Sequence, residues 1–393
     1  ELASSLFNAP RDQNPVEGLL YSYLTRAIEE GASDIHFEPT ESSLTVRVRI
    51  DGVLILRPFE YPTMRDQLLT RIKVLAGLDI AESRLAQDGR IPFETGSRTV
   101  DLRISVIPVA TGQRVVIRIL DKSKMVLELG KLGMPSDMLT SFQIQISKSE
   151  GIVLVTGPTG SGKTTTLYCA LNDMNVESVN IMTIEDPVEY RLSGISQMAV
   201  HPEIGLTFAE GLRHLLRQDP DKIMVGEIRD SETAHIAMQA AMTGHLVLST
   251  LHTNDAPSAV VRLMEMGVKD YLIGSTLGSV LAQRLVRTIC PYCKESYVPA
   301  DGVCEDLGIP KQKLMRGKGC ERCFGTGYCG RRAIFEHLVL DTELRNMLGG
   351  DITSDQLKKA AIDRGMTSLR MSGAALVQRG ETTPAEIARV IGM

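Results

Sequence analysis

An α/β fold built as two modules is what this 393-residue sequence predicts, and three observations predict it. Residues 44–120 alternate apolar and charged side chains with period two, as half-buried strands do. Residues 152–251 alternate short apolar runs with amphipathic helical stretches, as a helix-covered parallel sheet does. The first of those runs empties into Gly157-Pro158-Thr159-Gly160-Ser161-Gly162-Lys163-Thr164, a complete G-x-x-x-x-G-K-T loop with a helical pattern behind it.

The first module opens on a helix, because Leu19, Leu20, Leu24 and Ile28 recur at helical spacing. The strands are LTVRVRIDGVLI (44–55), RTVDLRISVIP (98–108) and RVVIRIL (114–120), broken by Gly52 and Gly112, and a second helix is expected over 64–80. Charge, Gly and Pro mix in 121–136, which reads as a linker. The second module follows with IVLVTG, a helix from Lys163, IMTIED, FAEGLRHLLRQ, KIMVGE, a helix over 231–242 and HLVLSTL. After about residue 284 the pattern gives way to a cysteine-rich stretch, and amphipathic helices close the chain from about 341. The expected division is 1–122, a linker over 123–136, a nucleotide-binding core over 137–284, a cysteine subdomain over 285–335 and a helical region over 336–393.

Composition narrows the function classes. Charged residues make up 23%, the net charge is −5 and aromatics reach only 4% with no Trp, so no basic, aromatic stripe is available for nucleic acid. No run of about 18 apolar residues occurs and the N-terminus carries no signal-peptide pattern, which predicts a cytoplasmic protein. The chain starts at Glu1, which predicts a truncated or processed product.

The glycine-rich loop points to a triphosphate: consecutive backbone N–H groups can curl around phosphate oxygens where no Cβ intervenes, and the following helix N-terminus favours an anion. Lys163 is expected at the β- and γ-phosphates and Thr164 on Mg²⁺, with Thr165 next in line. Two acidic segments follow, Thr183–Glu189 and Ile223–Asp230. Glu227 is the candidate for assisting Mg²⁺ and Glu189 for orienting or deprotonating the attacking water; taken alone, either segment also reads as surface caps and turns. In GHLVLSTLHT (244–253), His252 is a candidate γ-phosphate sensor, although a lone histidine at a strand end is more often structural. Seven residues apart in one strand, His245 and His252 are expected on opposite faces.

Six of the seven cysteines fall between 290 and 329. Cys290, Cys293, Cys320 and Cys323 form two C-x-x-C knuckles able to close tetrahedrally on one structural Zn²⁺, with Cys304 and Cys329 as spares that could replace a ligand. A redox dithiol or plain buried cysteines are the alternatives.

With these motifs in order, the sequence resembles the type II/type IV secretion ATPase superfamily, in particular its GspE/PilB group. The marks are SDIHFEP (33–39), RVRIDG (47–52), LAQDGRI (85–91), GPTGSGKTTTLY (157–168), the Asp box TIEDPVEY (183–190), the variant Walker B VGEIRD (225–230) and the His box GHLVLSTLHTNDA (244–256). The resemblance implies a PAS-like α+β domain, a flexible linker and a RecA-like P-loop ATPase domain, assembled as a homo-hexameric ring with ATP at the interfaces. It implies that Arg103 and Arg118 approach the phosphates, and that Arg213, Arg217, Arg229 and Arg262 match further interface positions. Read from the residues alone, the alternating arginines would merely solvate a strand face. The resemblance also supports the tetracysteine zinc site, and with it type II secretion or type IV pilus extension over retraction. An inner-membrane platform protein and a cytoplasmic adaptor are the implied partners. A nucleic-acid-handling ATPase of RecA type and a nucleotide-gated scaffold are the competing readings.

Overall fold

The computed structural model describes residues 15–95, 98–121, 127–349 and 352–392. The chain falls into two compact units, Glu1–Met125 and Val126–Met393.

In the first unit α1 (Pro15–Glu29) precedes β1 (Asp34–Pro39), β2 (Leu44–Ile50) and β3 (Val53–Arg57). Helix α2 (Arg65–Leu75) then leads to β4 (Gln87–Thr95), β5 (Arg98–Val109) and β6 (Gly112–Leu120). The six strands form one antiparallel sheet in the order β3-β2-β1-β6-β5-β4. Period-two patterning turns Ile35, Phe37, Val46, Val48, Leu102, Ile104, Val115 and Ile117 to one side, where they bury against Leu20, Leu24, Leu68 and Ile72 of the helices. The Asp51-Gly52 corner of β2 and β3 has both residues at positive φ, 49° and 81°, the two-residue turn that suits a right-twisted hairpin. Strands β1 and β4 arise from SDIHFEP and LAQDGRI, which the periodicity did not mark as strands.

The second unit is built on a seven-stranded sheet. Its elements run α3 (Ser136–Ile146), β7 (Gly151–Thr156), α4 (Lys163–Met174), β8 (Ile181–Glu185), β9 (Ser196–Ala199), α5 (Phe208–Leu215), β10 (Lys222–Val225), α6 (Ser231–Met242) and β11 (Leu246–Leu251). After α7 (Ala256–Glu265) and α8 (Asp270–Thr276) comes the long strand β12 (Leu277–Ile289). The hairpin of β13 (Lys294–Tyr297) and β14 (Leu314–Gly317), with α9 (Val303–Leu307) between them, separates β12 from β15 (Tyr328–Val339). Among the described residues, four helices follow β15: α10 (Thr342–Asn346), α11 (Ser354–Asp363), α12 (Leu369–Gln378) and α13 (Pro384–Ile391).

The sheet order is β15-β12-β7-β11-β10-β8-β9, parallel except for β15. Ile152, Val153, Leu154 and Val155 of β7 are at most 1% exposed, as a central strand covered by helices on both faces requires. The sheet runs past residue 284: β12 continues to Ile289 and β15 returns beside it, so residues 290–327 are what stands off the sheet. Of the linker expected over 123–136, residues 123–126 lie outside the described residues, and further on Leu129 and Met134 are buried in the core of the second unit.

Candidate functional site

Six parallel strands point their C-terminal ends to one edge, and the chemistry-bearing residues of the second unit gather there. β7 ends at Thr156 and passes into the loop 157–162, whose last residue, Gly162, caps α4 at φ 91°. Two of its glycines are forced. A Cβ on Gly157 would stand 2.5 Å from the Gln283 carbonyl oxygen and 2.6 Å from Ser161 Oγ, and one on Gly162 would stand 2.7 Å from Gln283 Nε2. Gln283, on the neighbouring β12, accepts from Thr166 Oγ1 at 2.6 Å and so backs the loop. Lys163 Nζ donates to the carbonyls of Gly157 and Pro158 at 2.8 and 3.2 Å. Burial drives its ammonium down to about 8; Glu227 opposes the shift and the Arg284 guanidinium adds to it. Ser161 Oγ is buried without a hydrogen-bond partner among the described residues, inside a cradle that only glycine leaves open.

The first acidic segment is only partly a solvent-facing feature. Glu185, the last residue of β8, is buried and accepts from the Tyr168 hydroxyl, from Thr183 Oγ1 at 2.6 Å and from Gln197 Nε2 at 3.0 Å. Glu189 lies four residues on, half buried, next to Tyr190, whose ring meets the Tyr168 ring edge-on.

The second segment meets the histidine strand. Glu227 follows β10, and its Oε2 is 3.2 Å from Nε2 of His252, the residue after β11. Arg229 grips the other carboxylate oxygen of Glu227 and lies 3.6 Å from Asp186 Oδ2. Strand β11 spans Leu246–Leu251, so His245 and His252 flank it at opposite ends and not on its faces. His245 Nδ1 is held at the far end, 3.0 Å from the Ala240 carbonyl oxygen.

Arg213 and Arg217 do not share a helix face. Helix α5 stops at Leu215, ahead of Asp219 (φ 52°) and Pro220, whose ring disfavours helix in the residue before it. Arg213 pairs with Glu210 and, at 2.6 Å, with Glu232 of α6; Arg217 Nη2 lies 2.8 Å from His214 Nδ1. Arg262 pairs with Glu265 on α7.

Within the first unit, pairing register places Arg49, Asp34, Arg118, Arg103 and Arg90 side by side across β2, β1, β6, β5 and β4. Arg103 and Arg118 are direct cross-strand neighbours, and Asp34 lies 3.2 Å from Arg118 Nε.

The cysteine knuckles come together through the same kind of register. Cys290 follows β12 directly, Cys323 precedes β15, and Ile289 pairs with Tyr328. The four Sγ atoms of Cys290, Cys293, Cys320 and Cys323 lie within 4.8 Å of one another, with separations of 3.9, 3.8 and 3.6 Å for three of the pairs. A tetrahedron with metal–sulfur bonds of about 2.3 Å has edges of about 3.8 Å, so the donor set fits one thiolate-bound ion. Backbone N–H groups of Cys320 and Gly327 point at Cys323 Sγ. Burial works against the Cys323 thiolate, but those amides favour it and bring the thiol to about 7. Cys304 is buried in α9 and Cys329 is exposed on β15, and neither belongs to the cluster.

Comparison with known proteins decides the lineage: the family described as Type II/IV secretion system protein matches residues 9–389. The chain belongs to that family. This secretion-family chain is 48% identical over 385 residues to the Type II secretion system ATPase E of Vibrio cholerae, covering 96% of the chain and 76% of the relative. It is equally 48% identical over 388 residues to the Type IV pilus assembly ATPase PilB of Myxococcus xanthus, covering 96% and 68%. Among solved structures it resembles that of the pilus retraction motor PilT with bound ADP, at TM-score 0.62 and 27% identity over 93% of this chain and 95% of that one. The family is that of the secretion and pilus-assembly ATPases, and this member is an ATPase. No helix among the described residues is long and apolar enough to cross a membrane.

Residues that sequence reasoning passed over are Glu185, Gln283 and Arg284. The polar pair Gln283-Arg284 inside the apolar run VLAQRLV was the available signal.

Proposed function

We propose that this ATPase is the motor of a type II secretion system or of type IV pilus extension, working as a homo-hexamer on an inner-membrane platform protein and a cytoplasmic adaptor at the inner face of the bacterial inner membrane. The single observation that carries the reading is the meeting of the glycine loop and Lys163 with the Glu227–His252 pair on one sheet edge.

ATP is the substrate. The backbone N–H groups from Gly157 to Thr165 cradle its phosphates, Lys163 neutralises the β- and γ-phosphoryl oxygens, and His252 senses the terminal phosphate. Bound Mg²⁺ supplies charge neutralisation between the phosphates, and Thr164 and Glu227 are the residues that would hold it. Glu189 orients or deprotonates the attacking water; Arg103 and Arg118 supply guanidiniums that stabilise charge on the transferring phosphoryl group. Arg213 and Arg217 act at the nucleotide-bearing subunit interface, a reading that the family resemblance supports. The four cysteines hold Zn²⁺, and since all four positions are thiolates the ion is structural.

The test is ATP turnover by zinc-replete oligomer with and without single-stranded DNA, beside Lys163→Ala and Glu227→Gln. Turnover that either change abolishes and DNA leaves alone is the expected result. Stimulation by DNA favours the nucleic-acid reading, and wild-type turnover no faster than the variants favours a nucleotide-gated scaffold.

A further inference from the structure

Arg284 follows Gln283 on β12 and is 6% exposed. Its Nη2 donates at 2.7 Å to the carbonyl of Asn254, two residues past His252. Its Nη1 is buried and has no hydrogen-bond partner among the described residues. That nitrogen lies 3.1 Å from the position a Cβ on Gly157 would take, and Ser161 Oγ, likewise buried and unpartnered, lies 2.6 Å from the same point. A buried N–H without an acceptor is a rare and costly feature, and here it is aimed at the base of the phosphate loop.

The reason lies with Lys163. An ammonium has three protons, and two of those on Lys163 are engaged by the Gly157 and Pro158 carbonyls. To meet oxygens of two phosphates it must release at least one carbonyl. A buried carbonyl left without a donor weakens the very binding that released it. We infer that Arg284 is a positioning residue of the phosphate loop: its Nη1 takes the Gly157 carbonyl when Lys163 turns to the phosphates, while its Nη2 keeps the loop after His252 in place. One N–H···O bond replaces another, so the count of satisfied groups is conserved. The exchange also makes β12 responsive to the nucleotide, and this strand leads straight into Cys290.

The inference rests on the proposed role of Lys163, so the experiment separates the two. Mg·ADP binding and the Mg·ADP-induced rise in melting temperature are measured for the wild type, Lys163→Ala, Arg284→Met and Arg284→Lys. Binding by the wild type and none by Lys163→Ala upholds the role of Lys163; equal binding by both overturns that role and the inference with it. Given the first outcome, Arg284→Met should bind about tenfold more weakly with a smaller melting shift, and Arg284→Lys, which keeps a donor, should fall between. A purely structural arginine would lower both melting temperatures and leave the shift intact. Wild-type affinity and shift in Arg284→Met overturn the inference. Should Arg284→Met not fold, a crystal structure of the wild type with Mg·ADP decides: Nη1 within about 3.2 Å of the Gly157 oxygen upholds the exchange, and beyond about 4 Å overturns it.

Discussion

Nε2 of His252 lies 3.2 Å from Oε2 of Glu227, joining the ends of two adjacent parallel strands beside the glycine loop. β10 and β11 pair from Lys222↔Leu246 to Val225↔Ser249, and each then delivers its candidate side chain a short step beyond the sheet. A carboxylate fixed on one side by an imidazole and on the other by Arg229 is oriented before any substrate arrives. Glu227→Gln should keep Mg·ATP binding and lower kcat by about 10²-fold or more, and His252→Ala by about tenfold or more. Steady-state turnover beside equilibrium binding of a non-hydrolysable analogue checks both; unchanged kcat in Glu227→Gln removes the glutamate from the mechanism.

Lys163 predicts a pH dependence. Burial sets its ammonium at about 8 against an ordinary 10.5, and phosphate oxygens favour the charged form. Nucleotide affinity should therefore fall as pH rises through about 8, and binding above that pH should take up a proton. Stability of the ligand-free fold runs the other way: between about 8 and 10.5 the unfolded chain holds more protons, so this lysine makes folding more favourable as pH rises. Calorimetry in buffers of different ionisation enthalpy reads the proton uptake directly.

Glu386 of α13 has a fully buried side chain and binds Arg287 of β12 and Arg389 of its own helix. Burial pushes its carboxyl up, but the bonds from Arg389 and Arg287 outweigh burial and hold it at about 2. Its stabilisation is complete above the ordinary 4.5 and disappears as pH falls toward about 2. Glu386→Gln strips Arg287 of its counter-charge and should destabilise the second unit by about 3 kcal/mol, read by urea denaturation at neutral pH.

Metal removal should loosen residues 290–327 selectively, because that segment stands off the sheet and is closed by the four thiols. Cys293→Ser or Cys320→Ser should abolish binding of one metal ion per chain, whereas Cys304→Ser and Cys329→Ser should retain it. Elemental analysis of the purified variants distinguishes the two sets.

Arg103 and Arg118 stand opposite each other on β5 and β6, with Asp34 beside Arg118. If they reach a phosphoryl group on an assembled subunit, Arg118→Ala should lower kcat by about 10²-fold while nucleotide binding persists, and Asp34→Asn should have a weaker effect through the freed guanidinium. Comparing turnover with the oligomer distribution in ultracentrifugation separates loss of chemistry from loss of assembly.

Local pattern determined a good deal by itself. Period two marked β2, β5 and β6, helical spacing marked α1 and α6, and G-x-x-x-x-G-K-T marked a glycine loop running into a helix, because these features depend on neighbours within one strand, helix or turn. The strands β12 and β15 left no such trace: one mixes Gln and Arg into an apolar run and the other strings charges through its first half. Their identity depends on pairing across some forty intervening residues. That pairing brings two distant cysteine knuckles into one tetrahedral cluster, and the parallel pairing of β12 with β7, Ala282 opposite Thr156, seats Gln283 and Arg284 behind Gly157. Likewise the sequence named His252 and Glu227 separately, but a parallel register between β10 and β11 decided that they touch. Composition and spacing act along the chain, whereas distances between side chains on different strands are set by the sheet, and it is those distances that make a site.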